Sequence, residues 1–302
     1  LARFAMTYPI VLSFNAHDPT GGAGIAADAL TCASLEASAF TVATTLLAGD
    51  FSRLEAVIPL DADWVDDQAR TLLEDSVVHA IKIGVLPDVQ IVRVIAEIMA
   101  DYPQVPVILA PSILVADDDD GNNAEDIITA THELILPNAN LLIAQRHLLR
   151  QLAEVKHNFT QIEEEHPQLL ANAHAQALLS SGCEYVFATD AKTPDSQVVH
   201  QLFSSDGLLR TDTTPRLKDA FLGANSTLSA AISALIAHGQ PTPQAVGEAL
   251  EYTWQTLRFG ISMGMGKKIP DRFYWTRQTE DETAEVEQSP NKRPAPSSNT
   301  LQ

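Results

Sequence analysis

Phe14-Asn15-Ala16-His17-Asp18-Pro19-Thr20-Gly21-Gly22-Ala23-Gly24-Ile25-Ala26-Ala27-Asp28 is the stretch that decides the fold. Before it, Pro9-Ile10-Val11-Leu12-Ser13-Phe14 reads as a buried strand. After it, residues 22–36 place Ile25, Ala29, Cys32 and Leu35 on one side of a helix. Between the two, Pro19 fixes one backbone angle and the glycines permit positive φ. The order predicts a strand-to-helix turn whose helix start, at Gly22 to Gly24, offers N–H groups to a ligand. Tight packing of strand on helix, with no ligand, is the other reading of such a turn.

Working outward, apolar runs alternate with amphipathic segments. Strands are expected at 41–47, 77–83, 105–109, 140–143 and 185–188, and helices at 62–75, 88–101, 124–134 and 161–180. Two more helices follow. Leu228, Ile232, Leu235 and Ile236 share one face, and Val246, Leu250, Thr253, Trp254 and Leu257 another, with Pro241 and Pro243 at the second start. This βαβ rhythm predicts a mainly parallel sheet with helices on both faces over residues 1–277. From 278 to 302 the chain is polar, without periodicity, and is expected to be a disordered tail.

With 302 residues and 45% hydrophobic content, the chain can bury a sizeable core. A net charge of −20 argues for solubility and against general binding of nucleic acid or anionic membranes. No apolar run reaches the roughly 20 residues of a membrane span. No signal core is evident either, so a cytoplasmic protein is expected. Cys32 and Cys183 read as buried thiols. The nine histidines show no zinc spacing. Asp117 to Asp120 could bind a hard cation, but such a run is more often a solvated surface. Trp254 reads as core.

The first stretch resembles the hydroxymethylpyrimidine and phosphomethylpyrimidine kinases of thiamine biosynthesis, which read A-G-[ST]-D-[PS]-[SG]-G-G-A-G-I-Q-A-D there. Ile81-Lys82-Ile83-Gly84-Val85-Leu86 is similar to their K-I-G-M-L, and Thr227-Leu228-Ser229-Ala230-Ala231 to their C-T-L-S-A-A. The resemblance runs over about residues 8 to 275. It implies a ribokinase-like three-layer α/β sandwich, ATP with Mg²⁺, and phosphoryl transfer to a pyrimidine hydroxymethyl group or phosphate. A homodimer is implied by resemblance alone. It assigns Ala16, Asp18, Gly21, Gly22, Ala23, Gly24, Asp28, Gly49, Val85 and Ser112 to the pyrimidine side, and Thr189 and Asp190 to the nucleotide side. Gly223, Ala224 and Asn225 match the anion hole that receives the transferring phosphoryl, and Ser226 the position of the catalytic base. No residue is assigned to a metal.

The chain departs from the family pattern at several of these positions. Asn225 stands for a Gly and Ser226 for the base Cys. An unassisted serine hydroxyl is a poor base, and losing a positioned base typically costs on the order of 10²–10⁴ in rate. Ser226 also reads as a helix N-cap. Gly49 stands for a Gln or Glu that anchors the pyrimidine, and Ala110 for an acid near the metal–phosphate region. Ala144-Gln145 and Leu148 replace a polar Thr-Pro-Asn and Glu set. Thr189-Asp190-Ala191 replaces Lys-Gly-Gly, and Gly264-Met265-Gly266 replaces Gly-His-Gly. Asp28 and Lys82 also read as a structural ion pair. These changes predict a kinase homologue with weakened or lost activity. The alternatives are a non-catalytic ligand-binding or regulatory protein on the same fold, and a kinase for a different small alcohol.

Overall fold

The computed structural model describes residues 8–114, 124–157, 167–192 and 196–277. The acidic run 117–120 and the segment 278–302 lie outside them. The chain divides into two units, Leu1–Arg272 and Phe273–Gln302, and the first carries all that follows.

Among the described residues nine strands form one sheet: β1 Ile10–His17, β2 Ser38–Gly49, β3 Leu54–Pro59, β4 Ala80–Val85, β5 Val107–Ser112, β6 Leu141–Gln145, β7 Tyr185–Lys192, β8 Gln197–Ser204 and β9 Gly207–Pro215. Their order is β3-β2-β1-β4-β5-β6-β7-β8-β9. From β2 to β7 all neighbours are parallel, while β3, β8 and β9 are antiparallel. The α-helices among the described residues are α1 Gly24–Ser34, α2 Ala62–Asp75, α3 Val89–Asp101, α4 Ala124–Ala130, α5 Arg146–Glu154, α6 Pro167–Ser180, α7 Ala224–Ala237 and α8 Thr242–Arg258. The first, α1, packs on α7, which packs on α8; α2, α3 and α4 pack in series, and α5 packs on α6.

The period-2 alternation of the central strands divides these layers. Leu12 and Phe14 of β1 and Ile81 and Ile83 of β4 join the core cluster that contains the buried residues of α2 and α3. Ser13, Asn15 and Lys82 are out of phase with them and meet Asp28 of α1 instead. Chain order in the sheet reverses at β1, which pairs with both β2 and β4. In an open α/β sheet that reversal opens a crevice at the carboxyl ends of the strands.

The parallel rhythm is present as expected, and α2 coincides with the expected 62–75. Three strands and a helix were not anticipated: β3, β8, β9 and α5. The expected helix over 124–134 ends at Ala130 and continues as a π-turn, Thr131–Ile135, and a 3₁₀ turn, Leu136–Asn138. Trp254 is half-buried rather than core. Its indole N–H donates to Pro215 O at 3.0 Å and Arg258 lies over its ring. Cys32 and Cys183 are buried, and desolvation pushes both thiols up to about 12.

Candidate active site

A cleft of about 680 Å³ opens where the strand ends converge. It is lined by Ala16, Gly49, Val85, Ser112, Gln145 and Thr189, which come from β1, β2, β4, β5, β6 and β7. Two helix starts face it. Asp18, Ala23 and Gly24 line it from the first glycine turn, and Gly223, Ala224, Asn225 and Ser226 from the start of α7. Gly21, Gly22 and Asp28 are not among its lining residues, and the side chain of Asp190 lies outside the described residues.

The first turn satisfies itself. Asp18 accepts from the amides of Thr20 and Ala23, both at 2.9 Å, and from the Thr20 hydroxyl at 2.8 Å. The Thr20 hydroxyl oxygen in turn accepts from the Gly22 amide at 3.1 Å. The expectation that this helix start offers free N–H groups is therefore corrected at Gly22 and Ala23. Their amides are spent on the turn's own side chains. Gly24, at φ +63°, is required because a Cβ would overlap the Ala16 carbonyl oxygen.

Behind this turn lies a buried polar knot. Asp28 Oδ2 accepts from Lys82 Nζ at 2.9 Å, Ser13 Oγ at 2.6 Å and Asn15 Nδ2 at 2.8 Å. Asp28 is 0% exposed and Lys82 1%. Asn15 Oδ1 accepts from the amides of Ala16 and Val85, so the knot fixes two segments of the cleft wall. Asp28 thus stands behind the wall, as a buried ion pair with Lys82, rather than on its surface. Asn15 was not anticipated. Its signal is a carboxamide in a mostly apolar strand, with partners far along the chain.

The second helix start is different. Gly223 is its N-cap, at φ +86°, with no side-chain cap. Ser226 lies one turn inside, so the N-cap reading of Ser226 is corrected: only the left-handed Gly223 makes the entry. A helix leaves its first amides without intrahelical acceptors, and those of Ala224, Asn225 and Ser226 have no protein acceptor among the described residues. Ser226 lines the cleft, and its hydroxyl has no hydrogen-bond partner among those residues. Arg272, 3% exposed, ties the two glycine segments together, donating to Gly22 O at 2.7 Å and Thr227 Oγ1 at 3.2 Å. Burial lowers its pKa, against the opposing pull of Tyr252, Asp28 and Asp18.

Gly49 has a structural cause. It precedes the β2–β3 hairpin, and a Cβ there would meet Arg53 O at 2.6 Å. The hairpin tip, Asp50 to Arg53, lines the cleft, and Lys267 N donates to Phe51 O at 2.8 Å across it. Neither the hairpin nor Lys267 was anticipated from sequence. Asp50 accepts from the amides of Ser52 and Arg53, which hold its carboxyl below the usual range.

An uncapped helix start suits the phosphates of a nucleotide. Among the described residues, the donor set does not suit Mg²⁺. The lining carboxylates among the described residues are Asp18 and Asp50, both already engaged. No group of three or more His, Cys, Asp or Glu is placed to hold a metal among those residues.

Sheet order, helix layers and cleft define a ribokinase-like α/β kinase fold. The profile of the phosphomethylpyrimidine kinase family matches residues 18–271, and the chain belongs to that family. The hydroxymethylpyrimidine/phosphomethylpyrimidine kinase of Salmonella typhimurium is 28% identical over 259 residues, covering 85% of this chain and 94% of the relative. The Streptomyces coelicolor protein of that name is 28% identical over 263 residues, covering 86% and 93%. Among solved structures, the ADP complex of Bacillus subtilis pyridoxal kinase superposes with a TM-score of 0.76 at 22% identity, over 88% of this chain and 98% of that one. Clostridium difficile phosphomethylpyrimidine kinase gives 0.64 at 18% identity, over 82% and 98%.

Proposed function

We propose that the chain binds hydroxymethylpyrimidine or its phosphate in this cleft, and that its ATP-dependent phosphoryl transfer is weak or lost. The carrying observation is Ser226. Its hydroxyl stands at the base position with no group among the described residues to take its proton, and an unactivated hydroxyl is a poor base at neutral pH. ATP's γ-phosphoryl would meet the amides of Ala224 to Ser226, where charge stabilisation is the main contribution such a helix start makes. The acceptor would lie toward Ala16, Gly24 and Val85.

Calorimetry with hydroxymethylpyrimidine and with Mg-ATP, followed by an ADP-release assay on the mixture, tests this reading. Vitamer binding with little turnover is the expected result, and turnover typical of a working kinase would sink it. Ser226→Cys should raise the ADP-release rate by about 10-fold or more if the missing base is the main deficit. An unchanged rate with normal ATP binding would place the deficit elsewhere.

A second reading, a kinase for a different small alcohol, is favoured by one observation. The hairpin at Gly49 leaves no room for the family's Gln or Glu and brings Phe51 and Arg53 to the cleft instead. Two structural neighbours are pyridoxal kinases, so pyridoxal is the first alternative acceptor for the same assay.

A further inference from the structure

The two ends of the cleft are built on different helices, and one buried cation joins them. Arg272 does not itself line the cleft. Its Nη2 donates to Gly22 O at 2.7 Å, one residue ahead of the cleft-lining Ala23, and its Nε donates to Thr227 Oγ1 at 3.2 Å. The Thr227 hydroxyl passes the link on, donating to Gly223 O at 2.9 Å. Gly22 O occupies the place of a Cβ on Gly223, so the two turns meet backbone to backbone where the guanidinium spans them.

Arg272 is anchored from elsewhere. The Tyr252 hydroxyl donates to its carbonyl oxygen at 3.2 Å and stands 2.6 Å from Oγ of Ser34, the last residue of α1. Asp271 N donates to Thr256 O of α8 at 2.9 Å. The link therefore rests on α8 and the far end of α1, not on either helix start. Among the described residues the guanidinium donates to a carbonyl and a hydroxyl, and to no carboxylate. A buried cation that meets only neutral acceptors is costly, and a neutral amide could hold the same two oxygens. The guanidinium adds a planar fork, which fixes its acceptors at one separation. It also adds a positive charge behind the α7 entry, which offsets the negative end of the Gly22 carbonyl lodged there.

We propose that Arg272 is a positioning residue for the complex with both substrates: through Gly22 and Thr227 it fixes the span between the acceptor end of the cleft and the phosphoryl end at α7. The inference rests on the reading of the cleft as a pyrimidine-kinase site. In the tied protein neither ligand has to set that span. Untied, each ligand can still order its own end. The two then meet at reacting distance only if the span is restored, and that cost falls on joint binding alone.

The test is calorimetric titration of the full chain with hydroxymethylpyrimidine, with and without saturating Mg-AMP-PCP, and with Mg-AMP-PCP by itself. The unaltered protein should bind the vitamer at least as tightly with AMP-PCP as without it. Arg272→Lys keeps the charge and loses the fork. It should bind each ligand alone within about twofold of the unaltered protein, and the vitamer about five- to tenfold more weakly once AMP-PCP is bound. Thr227→Val removes the relay hydroxyl at nearly constant shape and should move the same ratio in the same direction, while Thr227→Ser should restore it. Urea midpoints establish that each variant is folded, and Thr227→Val decides if Arg272→Lys is not. An unchanged ratio, or single and joint binding weakened equally, overturns the inference. Vitamer binding without AMP-PCP binding by the unaltered protein also overturns it while leaving the vitamer site standing, and binding of neither ligand removes both.

Discussion

Two helices begin at glycines beside one cleft, and they treat their exposed amides in opposite ways. At the start of α1, Asp18 and Thr20 reach across the turn and accept from the amides of Thr20, Gly22 and Ala23. At the start of α7, a left-handed Gly223 opens the helix and no side chain caps it. The first is a finished structural element that shapes the wall. The second keeps its partial positive charge unspent, so an anion gains most there. The same residue type therefore marks a scaffold in one place and a binding end in the other, and the difference lies in the flanking side chains.

The largest expected effect tests whether the two starts touch. A Cβ on Gly223 would overlap the Gly22 carbonyl oxygen, at a φ that L side chains rarely adopt. Backbone has little room to give, so Gly223→Ala should cost more than about 4 kcal/mol, read from the urea midpoint. A loss near 1 kcal/mol, what left-handed strain alone costs, would mean that the glycine segments do not meet as described.

The next effect concerns the knot behind the wall. Lys82→Met leaves Asp28 charged and buried, and breaking a buried pair in this way typically costs about 3–5 kcal/mol. Adding Asp28→Asn should recover part of that loss, since no uncompensated charge remains. No recovery in the double variant would show that packing, not charge, dominates at this position.

Asp18→Ala asks how much of the first start depends on its own side chains. It removes the acceptor for two amides and a hydroxyl, and losses of this kind run to about 1–2 kcal/mol. Thermal unfolding followed by circular dichroism would read it. An unchanged midpoint would mean that water replaces the carboxylate at no cost.

Much of this architecture is legible locally. The apolar spacing of 62–75, opened by Asp61 accepting from Asp63 N, gives α2 to the residue. The parallel strands declare themselves by continuous apolar runs, since both their faces are buried. The hairpin strands do not. β9 exposes alternate residues and is rich in Thr, so it lacks a long apolar run to find. In the site, the sequence locates both glycine segments but not what joins them. Arg272 reaches Gly22 across 250 positions, and Lys82 reaches Asp28 across 54. Such contacts exist only once the sheet order brings distant segments together. The N-cap of α7 was misplaced for a related reason: a Ser one turn into a helix matches a cap in composition, and only the φ of Gly223 decides between them.

The smallest effect separates the glycines of the first turn from one another. Gly24 needs to be glycine twice over, by φ and by the Ala16 carbonyl oxygen that occupies the place of a Cβ. Gly21 shares the left-handed φ, +69°, but a Cβ there meets nothing within 4 Å. Gly21→Ala should therefore cost only the intrinsic strain of the left-handed region, about 1 kcal/mol, partly offset by reduced freedom in the unfolded chain. Gly24→Ala should cost several times as much. Because Gly21 does not line the cleft, its variant should also leave vitamer affinity unchanged. A Gly21→Ala protein that folds normally yet binds more weakly would put this glycine in the binding surface after all, and the first turn would then be more than a scaffold.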